Sequence, residues 1–370
     1  MIAAAAITVV IFIFVWNYLA RRALTDALEV SFRLSSEGAY AEEELGFSEV
    51  IRNTGFLPVP AAEICFRIEK GISFREAENV TESDYLYKRD VFSMLGREQI
   101  TRQYCILCGR RGHYHISQAM VRSTAYPSHL VYEQPVRTDE NFYVYARRVS
   151  VRDVLTSMET LAAEEESSRR VPEDPFAFAN IRQYTETDPM RAVNWKATAK
   201  TGQLMVNTYQ SVRDTEFAVY LDVEDRNIVK RSDCVEECIS LAASLCQQLL
   251  RRGRRVSLAV NALPDGTAPV CFGPDRGEAY RLQLEQALAA DFTDVRTRSV
   301  KELMLAAPPQ GMLPVIISAN ASASMIGDVE EAVGPRGSAL LVAVSNDTDR
   351  DLPGRSASGR IKVVRRGVTP

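Results

Sequence analysis

Histidine is scarce in this chain of 370 residues, and that scarcity limits the chemistry the sequence can support. The 3 histidines lie at positions 113, 115 and 129, so the second half of the chain contains none. The phosphate-binding motif G-x-x-x-x-G-K-[ST], the dinucleotide motif G-x-G-x-x-G and the hydrolase motif G-x-S-x-G are also missing. Because these motifs mark common catalytic and nucleotide sites, we expect a protein that is not an enzyme and has no cofactor.

A strong excess of charge of one sign is missing as well. The net charge is −4, which gives no general attraction to nucleic acid. The 7 cysteines are odd in number and scattered along the chain. Free thiols of this kind are typical of a reducing compartment.

Residues 2–20 contain no charged side chain, and Arg21 and Arg22 follow at once. A run of this length is typical of a transmembrane helix, and the positive-inside rule would keep the following chain in the cytoplasm. The sequence therefore predicts a single-pass protein of the cell membrane with cytoplasmic soluble domains. A cleaved signal peptide is the alternative, although no basic region precedes the run.

The rest of the chain divides by its periodicity. Short alternating segments predict an all-β sandwich over residues 23–150, after an anchor at 1–22. A linker with a distinctive motif occupies 151–214. Strands alternate with helices over 215–346, which predicts a mostly parallel α/β sheet, and 347–370 form a tail expected to be frayed.

One spacing in the predicted sandwich resembles a metal site. Cys105, Cys108, His113 and His115 form C-x-x-C-x4-H-x-H. Zinc sites use these ligands, but usually with a longer central gap, and residues three apart on a strand point to opposite faces. Cross-strand packing is therefore favoured over zinc.

The most informative motif lies before the α/β segment. It reads R-x-Y-x-x-x-D-x-x-R-x-x-x-W-K-x-x-A-x-x-x-x-L, with these positions: Arg182, Tyr184, Asp188, Arg191, Trp195, Lys196, Ala199 and Leu204. Asp188 before Pro189 predicts a capped helix that ends at Gly202, with Trp195 on its buried face. The alternative is a catalytic or phosphate site built from Asp188, Arg191 and Lys196.

This motif resembles the signature of the bacterial family known as domain of unknown function 58. The resemblance implies that residues 215–346 have a von Willebrand factor A-like, Rossmann-type fold. It also implies a partner, a MoxR-type AAA+ ATPase, together with other membrane or envelope proteins. Members of the family usually have two N-terminal spans, and one is expected here.

Von Willebrand A-type domains often bind Mg²⁺ through D-x-S-x-S after the first strand, and the matching positions here are Asp222, Glu224 and Arg226. Because an arginine opposes a cation, we expect a degenerate metal site at Asp222 and Glu224 that holds no metal.

The functional hypothesis is a membrane-anchored, cytoplasm-facing adaptor or assembly protein that binds protein partners without catalysis. The six motif residues Arg182, Tyr184, Asp188, Arg191, Trp195 and Lys196 are its candidate interaction residues. The alternative hypothesis is a metal-assisted hydrolase that uses Asp188, Asp222 and Glu224.

Overall fold

Two units make up the chain in the computed structural model. The first unit is formed by Met1–Val149 with Leu282–Thr293, and the second by Ser150–Arg281 with Asp294–Pro370. The structure describes residues 2–25, 27–75, 79–125, 130–136, 140–168, 178–185, 188, 190–209, 215–225, 232–264, 266–292, 295–335, 337–345 and 353–368.

The first unit is rich in β-structure, as the alternating segments predict. Its elements in chain order are α1 (Ile2–Thr25), β1 (Leu28–Leu34), β2 (Gly38–Tyr40), β3 (Glu44–Asn53), β4 (Val59–Ile68), β5 (Ile72–Phe74), β6 (Val80–Glu82), β7 (Leu86–Met94), β8 (Gln99–Cys108), β9 (Gly112–His115), β10 (Ser117–Ala125), β11 (Leu130–Pro135) and β12 (Asn141–Tyr145).

Two main sheets share one hydrophobic core, which agrees with the predicted sandwich. Their strand orders are β1-β3-β8-β5 and β11-β10-β4-β7-β6, and a smaller sheet has the order β2-β12-β9. Phe32 and Phe47 from the first sheet pack on Phe66 from the second, with ring centroids 5.0 and 5.7 Å away. Alternate residues of each strand point into this core because strand side chains alternate between faces.

The predicted transmembrane anchor is wrong, and so is the predicted single-pass location. Within the residues described, no helix combines the length and the apolar character needed to cross a membrane.

Cross-strand packing accounts for the two histidines of this spacing. His113 stacks on Tyr143, its direct partner across β9 and β12, with ring centroids 4.5 Å apart. The Nδ1 atom of His115 lies 2.6 Å from Oδ1 of Asn141, again a cross-strand partner. Among the described residues, no group of three histidine, cysteine or acidic side chains could hold a metal ion.

The second unit alternates strands and helices. Its elements are α2 (Arg152–Ser168), β13 (Phe178–Gln183), a 3-10 turn (Met190–Ala192), α3 (Trp195–Thr201), β14 (Met205–Tyr209), β15 (Phe217–Leu221), α4 (Ser232–Arg251), β16 (Val256–Val260), β17 (Ala262–Leu263), β18 (Val270–Asp275), α5 (Glu278–Ala289), whose residues from Leu282 on belong to the first unit, β19 (Arg296–Thr297), α6 (Val300–Ala306), β20 (Leu313–Ser318), α7 (Ala323–Val333), β21 (Ala339–Val344) and β22 (Ile361–Arg366).

The main sheet of this unit has six strands in the order β18-β16-β15-β20-β21-β22. All neighbouring pairs are parallel except β16 with β18, which is antiparallel. Every residue of β15, β20 and β21 is buried. Strands buried on both faces are typical of a parallel sheet covered by helices, as the sequence predicts.

Two segments assigned to linker and tail belong to this sheet unit. Helix α2 places Val154 and Met158 in the interior and packs against β21 and β22. Strand β22 extends the sheet beyond β21, and its first residue, Ile361, is 1% exposed. The expectation that the whole tail is frayed is therefore wrong, because β21 offers an edge on which a short alternating segment can pair.

Candidate functional site

The carboxyl ends of the central strands form the natural binding edge of the α/β sheet. Strand β15 lies between β16, which follows it in the chain, and β20, which comes later. The chain therefore reverses its direction of winding between β15 and β20, and ligands of such sheets commonly bind at this position. Asp222 follows β15 directly, Asn261 follows β16, and Ser318 ends β20.

Asp222 is buried there and accepts hydrogen bonds on both carboxyl oxygens. Its Oδ1 accepts from Nδ2 of Asn261 at 2.7 Å and from the backbone N–H of Glu224 at 3.1 Å. Its Oδ2 accepts from the hydroxyl of Ser318 at 2.6 Å and from Nδ2 of Asn320 at 3.4 Å. Burial raises the pKa of Asp222, and the four hydrogen bonds oppose that rise.

Asn261 connects this network to the neighbouring loops. Its Oδ1 accepts from the backbone N–H of Val223 at 2.9 Å, and its Nδ2 also donates to the carbonyl of Arg298 at 3.0 Å. The network thus joins the segments that follow β15, β16, β19 and β20 through neutral donors.

This donor set does not fit a divalent cation. Mg²⁺ and Ca²⁺ require several oxygen ligands, whereas the neighbours of Asp222 present N–H and O–H groups to its carboxylate. Glu224 contributes its backbone N–H to that carboxylate. Arg226 lies outside the described residues. The arrangement stabilises loops, and we derive no metal-dependent step from it.

The motif belongs to a separate two-stranded sheet and to the segment that joins its two strands. Strands β13 and β14 pair antiparallel, with Arg182 opposite Val206. The segment between them returns through the 3-10 turn and α3, and Val193 forms an isolated bridge with Val206. Both valines are buried, at 7% and 2% exposure. The motif is therefore a β-hairpin with a helical insertion.

Asp188 holds the turn that follows β13. Arg182 donates two hydrogen bonds to its two carboxyl oxygens, each 2.6 Å long. Thr185 donates to Oδ2 from its backbone N–H at 2.9 Å and from its hydroxyl at 2.7 Å. These bonds, with that of Arg182 the strongest, hold the pKa of Asp188 well below its usual range.

The predicted cap of the helix is wrong. Helix α3 begins at Trp195, and its N-cap is Asn194, whose side chain accepts from the backbone N–H of Ala197 at 3.0 Å. Asp188 cannot serve as this cap because its oxygens are bound within the turn and the 3-10 turn intervenes. The predicted end is correct, since Gly202 terminates α3 with a positive φ of 71°.

The predicted burial of Trp195 is also wrong. Its side chain is 63% exposed, and α3 has no buried residue. Backbone and polar bonds attach the helix instead: Thr198 Oγ1 accepts from the N–H of Met205 at 3.0 Å, and the N–H of Asn194 donates to the carbonyl of Met205 at 2.8 Å. The core of the hairpin is supplied by Val193 and Val206, so the indole is not needed there.

We refer to four of the exposed side chains of residues 190–204 as the signature surface. They are Met190 at 57% exposure, Trp195 at 63%, Leu204 at 39% and the exposed Lys196. Tyr184 is half-buried, and its N–H donates to the carbonyl of Leu204 at 2.8 Å. The side chain of Arg191 and the whole of Pro189 lie outside the described residues.

The residues of the hydrolase hypothesis belong to two different hydrogen-bond networks. Asp188 is bound by Arg182 and Thr185 in the turn after β13, whereas Asp222 is bound by residues at the edge of the α/β sheet. Sequence reasoning missed Asn194, Asn261 and Ser318. A signal existed for Asn194, since asparagine directly before a helical segment is a favoured N-cap.

Comparison with known proteins identifies a family for the second half of the chain. Residues 180–363 match the family described as "Protein of unknown function DUF58". A protein of Bacillus subtilis (strain 168), described as "Uncharacterized protein YeaD", is 22% identical over 235 residues, which is 63% of this chain and 56% of that protein. The chain thus spans about half the length of this relative.

Two solved structures that resemble part of the chain are distant likenesses. The CARDB domain of a Pyrococcus furiosus protein is 15% identical and covers 30% of this chain and 91% of that one, with a TM-score of 0.19. A non-cellulosomal cohesin from Archaeoglobus fulgidus is 8% identical and covers 35% and 97%, with a TM-score of 0.23. We draw no conclusion about this chain from TM-scores this low. The family match covers the motif and the sheet that follows it: residues 180–363 of this chain belong to the DUF58 family.

Proposed function

We propose that this chain is a non-enzymatic adaptor or assembly protein that binds a protein partner through the signature surface. The observation that carries the proposal is the exposed indole of Trp195 on a helix with no buried residue. Tryptophan is enriched among the residues that dominate binding energy at protein interfaces. An exposed tryptophan that contributes nothing to a core is therefore best explained by a partner.

The backbone around Trp195 supports this role. Asn194 caps α3 at its start, Gly202 ends it, and Thr198 attaches it to β14. Asp188 and Arg182 hold the preceding turn. A binding segment that is already ordered loses less entropy when the partner binds.

A MoxR-type AAA+ ATPase is the proposed partner, because the family resemblance suggests it. The von Willebrand factor A-like fold is proposed on the same ground, and the strand order of the six-stranded sheet supports it. The hydrolase alternative is not favoured, since both oxygens of Asp222 are engaged by hydrogen-bond donors.

The test is the affinity of the chain for a purified MoxR-type AAA+ ATPase from the same source. Trp195→Ala should weaken binding at least tenfold, about 1.4 kcal/mol, because interface tryptophans commonly contribute that much or more. Lys196→Ala should have a smaller effect, mainly on the association rate, as charges at an interface rim do. Calorimetric titration and surface plasmon resonance measure both.

Leu305→Ala is the matched control. Leu305 is 64% exposed on α6 of the same unit, so its truncation removes similar exposed apolar surface away from the motif. It should bind like the parent. The free energy of unfolding of both variants should stay within about 0.5 kcal/mol of the parent's, which is the usual range for surface substitutions. Equal affinity of Trp195→Ala and the parent would contradict the proposal.

A further inference from the structure

The β-sandwich of the first unit contains charged side chains in its core. In β7 every second residue is buried, and two of these inward positions are Lys88 and Asp90. Glu49, on β3 of the opposite sheet, is 0% exposed. Inward positions of a sandwich are normally apolar, so charges there require a specific explanation.

Asp90 has several partners. Lys88 Nζ donates to its Oδ2, and the hydroxyl of Tyr104 donates to the same oxygen at 3.0 Å. An Arg102 nitrogen lies 3.6 Å from Oδ1. Lys88 Nζ also lies 3.8 Å from the centroid of the Tyr104 ring. These groups satisfy Asp90 as a carboxylate.

The surroundings of Glu49 differ from those of Asp90. Both of its carboxyl oxygens are buried, and neither accepts a hydrogen bond in the part of the chain that the structure describes. Arg102 is its direct cross-strand partner on β8, and the apolar Phe32 is its partner on β1. Asp90 and Lys88 lie at inward positions of β7 in the other sheet, and both act on the pKa of Glu49.

The protonation state of Glu49 follows from this arrangement. An ionised carboxylate without donors in a core loses its hydration and gains no hydrogen bond in return. A neutral carboxyl group has an O–H that can donate, and Asp90 offers an acceptor. One proton between the two carboxyl groups therefore satisfies both, because two adjacent carboxylates repel each other.

We propose that Glu49 and Asp90 share one proton between the two sheets of the sandwich, and that loss of this proton loosens the first unit. Glu49 comes from the sheet β1-β3-β8-β5 and Asp90 from the sheet β11-β10-β4-β7-β6. The shared proton joins the sheets when it is present. Without it, two negative charges lie between them.

The direction of the pH dependence follows from the pKa. Burial first, and the charge of Asp90 next, raise the pKa of Glu49 from 4.5 to about 7, while Lys88 and Arg102 act in the opposite direction. The folded state thus holds a proton that the unfolded chain has already released. Stability that is fully present below about pH 4.5 is lost as the pH rises through about 7.

Hydrogen exchange of the full chain tests the proposal, because peptides from β3 and β7 report on the first unit alone. After correction for the intrinsic exchange rate, protection of these peptides should fall between pH 5 and pH 8. The expected decrease is on the order of 100-fold, since a pKa that differs by one between the folded and unfolded states changes the folding equilibrium about tenfold. In Glu49→Gln the amide can donate to Asp90 at every pH, so this decrease should disappear.

Glu29→Gln is the control, because Glu29 is exposed on the neighbouring strand β1 and its removal should leave the parent profile unchanged. A Glu49→Gln protein that keeps the parent's pH dependence would overturn the proposal. If that variant does not fold, carbon-13 NMR of the parent, labelled at the glutamate carboxyl carbons, decides the question. One glutamate should titrate near pH 7, and titration of all of them below about pH 5.5 would refute the shared proton.

Discussion

Asp188 and Asp222 are two aspartates of one unit whose surroundings move their pKa values in opposite directions. Asp188 lies in a surface turn and is bound by a guanidinium group and two donors of Thr185, so its pKa is lowered. Asp222 is 1% exposed and bound only by neutral donors, so burial dominates and its pKa is raised. The comparison shows that the number of hydrogen bonds does not decide the direction. The charge of the donors and the depth of burial decide it.

The largest effect is expected at the buried aspartate. Asp222→Ala should lower the free energy of unfolding by about 3 kcal/mol or more, because it leaves the donors of Ser318 and Asn261 buried without an acceptor and each such group costs about 1–3 kcal/mol. Chemical denaturation followed by circular dichroism measures the change.

Asp328→Ala is the control, because it removes an aspartate that is not part of the buried network. Asp328 is exposed on α7, and its replacement should change the free energy of unfolding by no more than about 0.5 kcal/mol. If the Asp222 and Asp328 variants were equally stable, the network at the sheet edge would have no structural role.

A smaller effect on stability should show whether Asn194 or Asp188 is the N-cap of α3. Asn194→Ala should cost about 1 kcal/mol, the usual contribution of an N-cap, because the N–H of Ala197 loses its acceptor. Asp188→Ala should leave the α3 amides protected from hydrogen exchange, since its carboxylate serves the turn. The amides of Ala197 and Thr198 are the ones to follow. Faster exchange in Asp188→Ala than in Asn194→Ala would restore Asp188 as the cap.

The smallest effect concerns the pH dependence of the surface aspartate. A lowered folded-state pKa means that the contribution of Asp188 is present above about pH 3.8 and is lost as the pH falls below that value. The melting temperature of Asp188→Asn should therefore lie slightly below that of the parent at pH 7, and the difference should shrink towards pH 3. Because the pair is exposed, high salt should also reduce the difference. A difference that grows on acidification would contradict the role assigned to Arg182.

The sequence predicted the type of most elements but not the position of the functional side chains. Alternation of period 2 indicated the sandwich strands, and continuous apolar runs indicated β15, β20 and β21. The sequence also predicted that Trp195 lies on a buried helical face. That inference failed because α3 starts at Trp195 and is attached through its backbone and Thr198 rather than through an apolar face.

Local chemistry was readable from the residues alone. The motif from Arg182 to Leu204 determined the family, and Gly202 determined where α3 ends, because glycine tolerates the positive φ of a helix terminus. Tertiary structure decided everything that depends on residues distant in the chain. Glu49 meets Asp90 only because two sheets face each other, and Asp222 meets Ser318 only because β15 and β20 pair in parallel. The same carboxyl group is ionised or neutral according to those neighbours, and a linear pattern does not contain them.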